Sequence, residues 1–247
     1  MKICIIGDGL VSLVLAKVLI QKGIYVDIYS KKKNKSYDQS RTLGISKTNI
    51  DYLNDEIVNI KNISWEINNI KIFNEKNSDK ELINFDNKNS QIFSILRNHQ
   101  LQKLLIKKLK NSRLIRFNYN FNIDRKKYKL IINSDPKYPY TKKFFSNRIE
   151  KNYNSYAYTT TMIHKKIKNN TAMQNFTKIG PLAFLPISET ETSIVYSVRS
   201  LNKMSNFEMN NLIKRYNSVY SIKKINFWKN FELRSSSLRN YYKDNIL

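Results

Sequence analysis

Residues 2–29 read KICIIGDGLVSLVLAKVLIQKGIYVDIY, and this stretch decides which fold is expected. Lys2–Ile6 is short, continuous and apolar, which is typical of a buried parallel strand. Leu10–Ile20 predicts a helix that packs on a sheet, and Gly23 follows it at a position that favours a left-handed residue. Ile24–Tyr29 predicts a second strand. The stretch therefore predicts a strand, a glycine turn, a helix and a second strand.

The glycine turn has the chemistry of a dinucleotide site. Gly7 permits a tight bend, and Gly9 lets backbone N–H groups approach a pyrophosphate at the positive end of the helix. Ser12 stands where the fingerprint usually has a third glycine, and Ser30 stands where a carboxylate usually binds the ribose hydroxyls. These four residues are our candidates for cofactor binding. The alternative is a unit of the same shape that no longer binds a nucleotide.

Length and composition exclude several classes of protein. The chain has 247 residues, enough for one large domain or two interleaved smaller ones. A single cysteine excludes a disulfide framework and a cysteine-rich metal site. The two histidines, His99 and His164, leave little material for a zinc centre or a histidine-based triad, and both are expected at the surface. We predict a cytoplasmic protein without a metal.

The net charge is +25, from 44 Lys and Arg against 19 Asp and Glu. The first interpretation of this charge is compositional, because the basic residues are spread along the chain, as an AT-rich coding sequence would produce without selection for binding. A basic face toward anionic lipid is the second interpretation, and binding to a polyanion is the third. Nucleic acid is an unlikely partner because the sequence has no zinc finger, RNP-like motif or heptad-linked basic region.

Further segments follow the glycine turn in a characteristic order. They are Asp38–Ser46 (DQSRTLGIS), Ile92–Leu109 (IFSILRNHQLQKLLIKKL) and Gly180–Ile187 (GPLAFLPI), the last predicted to start a hairpin. Together with the turn, they resemble the flavin-dependent aromatic hydroxylases. The greatest similarity is to the branch that hydroxylates a polyprenylated ring in ubiquinone biosynthesis.

This resemblance implies an α/β fold class, in which a Rossmann-like FAD-binding βαβ domain is interleaved with a mostly antiparallel substrate-binding sheet. Residues 1–62 and 92–140 would form the FAD-binding part. Residues 63–91 and 150–230 would form the substrate sheet. Residues 231–247 would return to the FAD-binding part and stop where the family's next strand begins.

The resemblance also implies an activity, with FAD as cofactor and NAD(P)H as reductant. In the family, reduced flavin activates O₂ for hydroxylation of an electron-rich ring, so the protein supplies position and hydrogen bonds rather than a catalytic triad. We therefore predict no catalytic side chain. The residues carried over are Gly7 and Gly9 for the pyrophosphate, Arg41 beside the flavin, Arg97 at the ribityl–phosphate part, Asp135 at a strand end beside the flavin, and Phe184 and Pro186 at the substrate cavity.

Some positions depart from the family's pattern. Pro136 follows Asp135 where the family has glycine, and proline has no N–H to donate. Residues 230–247 resemble the segment before a Gly-Asp motif that closes over the pyrophosphate. We therefore expect a fragment or a shortened product with weak FAD binding, and a continuation or a partner chain that supplies the missing segment.

The sequence leaves three functions open. The first is hydroxylation of a polyprenylated aromatic precursor of ubiquinone, with the protein peripheral on the inner membrane. The second is a non-catalytic relative that scaffolds a membrane-associated quinone-biosynthesis complex. The third is a basic protein that binds nucleic acid or a membrane surface.

Overall fold

The computed structural model describes residues 1–31, 38–75, 77–86 (77–80 by their backbone), 90–120, 122–200 and 203–247. Its strands are β1 (Lys2–Ile6), β2 (Tyr25–Tyr29), β3 (Thr42–Ser46), β4 (Ser64–Ile67), β5 (Asn69–Asn74), β6 (Asn77–Asp86), β7 (Phe93–Arg97), β8 (Ile115–Asn118), β9 (Leu130–Asn133), β10 (Arg148–His164), β11 (Thr171–Thr177), β12 (Gly180–Pro186), β13 (Glu191–Arg199), β14 (Ile222–Ile225) and β15 (Lys229–Leu238). Its α-helices are α1 (Leu10–Gln21), α2 (Lys47–Tyr52), α3 (Asn98–Lys110), α4 (Pro139–Phe144) and α5 (Asn206–Tyr216). Shorter helical turns are Leu53–Ile57, Lys61–Ile63 and Arg125–Lys127.

The first sheet is parallel and has four strands in the order β8-β2-β1-β9. β1 pairs with β2 from Lys2 opposite Tyr25 to Ile6 opposite Tyr29. The short apolar runs predicted as strands, and the helix between them, are confirmed. On one face of this sheet α1 and α3 pack together over a core that includes Ile3, Ile5, Leu13, Leu101 and Leu105.

The other face of the parallel sheet is covered by aromatic side chains. Cys4, Ile6 and Ile131 lie beneath Tyr128, Tyr138 and Phe145. Residues 245–247 run beside β9, where the Ile131 N–H donates to the Asn245 carbonyl over 2.8 Å. Ile246 is buried in the same cluster. This face is therefore closed by residues 128–145 and by the last residues of the chain.

An antiparallel arrangement dominates the second sheet, whose strands follow the order β14-β10-β13-β12-β11-β5-β6, with β15 also paired to β10. The β12–β13 hairpin is confirmed. α5 packs on this sheet through Met209 and Ile213, which join Tyr158, Phe184 and Tyr196 in a buried cluster. Placing the apolar stripe of α5 against the sheet buries both surfaces.

A third, three-stranded sheet has the order β3-β7-β4 and lies against the second. The Thr42 and Ser193 hydroxyls are 3.0 Å apart, which joins β3 to β13. The Thr159 hydroxyl donates to the Ser40 Oγ over 3.2 Å, which joins β10 to the residues just before β3. The start of β3 is therefore fixed against β10 and β13.

The predicted α/β fold class, with its Rossmann-like FAD-binding domain, is wrong. Within its described residues, the protein is a mixed, sheet-rich fold in which strand residues clearly outnumber helical residues. A doubly wound fold needs crossover helices on both faces of its parallel sheet. Here α1 and α3 cover one face, while aromatic side chains around Tyr128 and Tyr138 cover the other. Residues 2–29 predicted only their own strand–helix–strand unit, whereas long antiparallel strands dominate the rest of the described chain.

The two histidines also differ from expectation, because both are buried. His99 is 9% exposed and His164 is fully buried. The His164 Nδ1 donates to the Lys165 carbonyl over 2.8 Å, and its Nε2 lies 3.0 Å from the Thr192 hydroxyl, so both ring nitrogens have a partner. Within the described residues, no helix combines the length and apolar character that crossing a membrane requires. The predicted domain boundaries stay a prediction.

Candidate functional site

A cavity of about 250 Å³ lies at the carboxyl ends of β1, β2 and β9, and we call it the glycine-turn cavity. Strand ends of a parallel sheet leave such crevices where successive connections diverge. The residues that line it are Gly7, Asp8, Gly9, Ser30, Lys31, Gln102, Ser134, Asp135 and Pro136. Gly7, Gly9, Ser30 and Asp135, all predicted as cofactor-binding residues, are therefore brought together here.

Gly7 has a backbone that other residues avoid, with φ at +106°. A Cβ built on it would lie 2.6 Å from the Ser134 Oγ. That hydroxyl donates to the Ile6 carbonyl over 2.9 Å and lies 2.5 Å from the Ser12 Oγ. Ser12 is buried and ties α1 to the residue after β9. Its predicted cofactor contact stays a prediction, since the structure shows it supporting the turn.

Gly9 is the N-cap of α1, and no described side chain caps this helix end. No described atom lies within 4 Å of a Cβ built on Gly9, so the turn faces open space. The partial positive charge of the helix end is available to an anion there. Lys31 adds a cation, which lies 3.3 Å from the Asp135 carboxylate. The Gln102 amide donates to the Asp8 carbonyl over 2.7 Å and ties α3 to the turn.

The end of β2 offers amide and hydroxyl groups instead of a carboxylate. Ser30 is buried, and its N–H donates to the Asn118 carbonyl over 3.0 Å. The Asn118 Nδ2 is buried and has no hydrogen-bond partner in the described part of the chain. An unsatisfied buried donor is costly unless a ligand completes it. The cradle at Gly7 and Gly9, with Ser30 at the end of β2, fits the diphosphate and ribose of FAD, the cofactor implied by the resemblance.

The two predicted arginines lie side by side on the third sheet. Arg97 is paired with Thr42 across β7 and β3, and the Asn98 N–H donates to the Arg41 carbonyl over 3.1 Å. The Arg97 Nη2 lies 2.7 Å from the Glu191 carboxylate. The Arg41 guanidinium lies 4.8 Å from the centroid of the Phe231 ring. Both side chains are therefore held by β13 and β15, and their contacts with a flavin stay a prediction.

A larger cavity of about 650 Å³ lies between the third sheet, β10 and α5, and we call it the sheet cavity. The residues that line it are Asp38, Gln39, Ser40, Arg97, Thr161, Asn206, Asn210, Lys224, Ile225, Asn226, Phe227, Trp228 and Lys229. Burial alone would raise the pKa of Asp38, but hydrogen bonds from Ser40 and the charges of Lys229 and Arg41 lower it overall. Its carboxylate is therefore ionised at neutral pH.

The start of α3 contributes to both cavities. Arg97 is its N-cap and lines the sheet cavity, while Gln102 lines the glycine-turn cavity. At 1.5 Å per residue these positions are about 7.5 Å apart along the helix axis. The two cavities therefore lie near the same end of one helix.

Comparisons with known proteins support the architecture. No protein-family model and no curated protein matches the sequence. Among solved structures, p-nitrophenol 4-monooxygenase PnpA from Pseudomonas putida DLL-E4 aligns with a TM-score of 0.78 and 9% identity, over 99% of this chain and 71% of that one. A variant of P. aeruginosa PqsL gives 0.72 and 13%, over 100% and 77%. Tetracycline destructase Tet(55) gives 0.65 and 12%, over 99% and 72%. The chain shares their fold.

The predicted substrate contacts do not come to the sheet cavity. Phe184 is fully buried and stacks on Tyr220, with 6.1 Å between ring centroids. Pro186 is buried where β12 pairs with Thr192 of β13. Neither is among the described residues that line the sheet cavity. Inward-facing positions of an alternating strand pack in the core, and their role toward substrate stays a prediction.

Sequence reasoning missed the residues around the connection from β14 to β15. Lys224, Phe227, Trp228 and Lys229 line the sheet cavity. The available signal was the run KKINFWKN at 223–230, in which two adjacent aromatic residues stand between lysines. Phe227 and Trp228 lie outside the paired strands, in the connection itself.

His99 is a second residue that the sequence did not reveal. Its Nδ1 is buried without a hydrogen-bond partner in the described part of the chain, in the first turn of α3 and two residues after Arg97. Burial lowers the pKa of His99, and the charges of Arg97 and Lys103 lower it further. The imidazole is therefore neutral at pH 7, beside a cationic residue that lines the sheet cavity.

Proposed function

We propose that the protein is a flavin-dependent monooxygenase that hydroxylates an aromatic ring. The observation that carries this proposal is the pair of cavities that both receive residues from the start of α3, one with a glycine cradle and the other large enough for an aromatic substrate. The fold shared with p-nitrophenol 4-monooxygenase PnpA supports the same reaction class.

The residues of this chain would hold FAD at the glycine turn. Gly7, Gly9 and the start of α1 would bind the diphosphate, and Ser30 with Asn118 would bind the adenosine ribose. When bound, the flavin would supply the activation of O₂. Electrons from NAD(P)H balance the reaction, because one oxygen atom enters the ring and the other leaves as water. The protein's own contribution is position and exclusion of water.

We further propose that the ring belongs to a polyprenylated precursor of ubiquinone. This finer assignment is supported by the resemblance of Asp38–Ser46, Ile92–Leu109 and Gly180–Ile187 to that branch of the hydroxylases. A substrate with an isoprenoid tail partitions into lipid, and the +25 net charge would favour peripheral contact with an anionic membrane. A continuation or partner chain that completes the FAD site belongs to the same proposal.

A titration of the purified chain with FAD, followed by flavin fluorescence, tests the proposal. We expect weak but saturable binding, which Gly9→Val reduces by about tenfold or more because its side chain fills the open space of the turn. Gly44→Ala is the control, since its Cβ would only touch the Phe93 ring at 3.6 Å. A folded chain that binds no FAD, or that binds it equally with Gly9→Val, contradicts the proposal.

A specific observation favours the second candidate, a non-catalytic relative. Asp8 and Asp135 both line the glycine-turn cavity, and Lys31, the one lysine among the described residues that line it, is paired with Asp135. Two carboxylates near a diphosphate oppose its binding. This candidate predicts that the folded chain binds no FAD, and that a knockout leaves ring hydroxylation of quinones unchanged.

A further inference from the structure

We propose that the sheet cavity selects an aromatic ligand with an anionic substituent, and that Phe227 contacts the ring while Lys224 and Lys229 contact the anion. The inference deepens the proposed function and rests on it for the reaction that follows binding. The binding preference itself depends only on the residues described below.

Phe227 is presented to the cavity by a firmly held connection. It is 89% exposed although it is a large apolar side chain. On one side, the Asn226 N–H donates to the Thr161 carbonyl over 3.0 Å, and the Thr160 hydroxyl donates to the Asn226 carbonyl over 2.9 Å. On the other side, the Trp228 indole N–H donates to the Asn210 Oδ1 over 2.9 Å.

These anchors fix the backbone on both sides of Phe227 while its ring stays in solvent. An exposed aromatic ring on a fixed support loses little entropy when a planar ligand stacks on it. The ring at the cavity is therefore a preformed contact for another aromatic ring.

The charges that line the sheet cavity favour an anion. Among the described residues that line it, Arg97, Lys224 and Lys229 are cationic and Asp38 alone has a carboxylate. Arg97 is neutralised by Glu191, and Asp38 is engaged by the Ser40 N–H at 2.9 Å and the Ser40 hydroxyl at 2.7 Å. Lys224 makes no ion pair within the described part of the chain. The cavity therefore keeps a positive excess close to Phe227.

The remaining lining is mixed. Gln39, Asn206 and Asn210 contribute amide groups beside the apolar side chains of Ile225 and Trp228. The ligand class that fits is an aromatic ring with a carboxylate or phenolate.

Calorimetric titration of the flavin-free chain with three probes tests this inference. The probes are benzoate, benzamide and cyclohexanecarboxylate, which separate the charge from the ring. We expect benzoate to bind about tenfold more tightly than benzamide, because a hydrogen bond to a charged group contributes more than one to a neutral group. It should bind about fivefold more tightly than cyclohexanecarboxylate because of aromatic stacking.

Matched variants assign the preference to the named residues. Lys224→Gln combined with Lys229→Gln should remove the preference for benzoate over benzamide. Phe227→Ala should remove the preference for benzoate over cyclohexanecarboxylate. The controls are Lys223→Gln and Phe207→Ala, whose exposed side chains are not among the described residues that line the cavity. Thermal midpoints close to the wild type confirm that each variant folds.

Equal affinity for benzoate and benzamide overturns the inference, as does an effect of Lys223→Gln as large as that of the double variant. A folded wild-type chain that binds none of the probes also overturns it. The assay contains no flavin, so its outcome is separate from the proposed function. Benzoate selectivity without FAD binding would contradict only the monooxygenase, and FAD binding without selectivity would contradict only the anion preference.

Discussion

Replacing Gly7 by alanine should destabilise the protein strongly. The substitution forces a side chain onto a residue with φ at +106°, which costs about 1–3 kcal/mol. Its Cβ would lie 2.6 Å from the Ser134 Oγ, so that hydroxyl must leave its hydrogen bonds to the Ile6 carbonyl and the Ser12 Oγ. Losing both costs about 2 kcal/mol more. We expect a decrease of about 3–5 kcal/mol in the free energy of unfolding.

Urea unfolding followed by circular dichroism measures this decrease, which corresponds to a fall of about 6–20 °C in Tm for a chain of this size. A double-mutant cycle with Ser134→Ala isolates the clash. In that background the hydroxyl is gone, so Gly7→Ala should cost only the backbone strain of about 1–3 kcal/mol.

Gly9→Ala is the matched control for this experiment. Gly9 has φ at −68°, and no described atom lies within 4 Å of its Cβ position. Its free energy of unfolding should therefore stay within about 1 kcal/mol of the wild type. The reasoning fails if Gly7→Ala is as mild as Gly9→Ala, or if it costs the same with and without the Ser134 hydroxyl.

Three other predictions follow from buried groups and backbone geometry. Burial raises the pKa of the Cys4 thiol to about 12, so a disulfide reagent at pH 8 should label it only as fast as the protein unfolds. The free energy of unfolding that the bound proton contributes is lost as pH rises from about 9 toward 12. Burial and the charges of Arg97 and Lys103 lower the pKa of His99, so stability should be complete above about pH 6.5 and decrease below it. His99→Gln should flatten that decrease in urea midpoints measured from pH 7.5 to 5. Gly180 has φ at +146°, and Gly180→Ala would place a Cβ against the Ser197 carbonyl, so the free energy of unfolding should fall by more than about 3 kcal/mol. Gly23 has φ at +72° and open space around it, so Gly23→Ala should lower the free energy of unfolding by about 1 kcal/mol in the same urea assay. Immediate labelling of Cys4, a pH profile unchanged by His99→Gln, or equal costs at Gly180 and Gly23 would each contradict the corresponding argument.

Local elements were predictable because their signals lie within a few residues. Lys2–Ile6 is an unbroken apolar run, and β1 has those same bounds. The segment Ile92–Leu109 combines an apolar run with leucines at helical spacing, and it forms β7 followed by α3. The positions of Gly7 and Gly9 at the first turn followed from the same pattern.

The fold class was not predictable in the same way, because long-range pairing leaves little trace in a polar strand. β10 runs over Arg148–His164, and its first half is exposed and rich in asparagine and lysine. β15 contains three consecutive serines and pairs with β10 across a register shift. Neither segment has the alternation that identifies a strand.

The candidate site shows the same limit. Gly7, Gly9, Ser30 and Asp135 were found from the turn motif and the resemblance, and they line one cavity. Phe227 and Lys224 were missed because their position depends on how β14 and β15 pack against β10 and α5. No local pattern encodes that packing.

The start of α3 has a thermodynamic consequence. Arg97 faces one cavity and Gln102 the other, and both belong to a single helix whose backbone hydrogen bonds resist bending. Any coupling between ligands in the two cavities is reciprocal: the factor by which either ligand changes the other's dissociation constant must be the same in both directions.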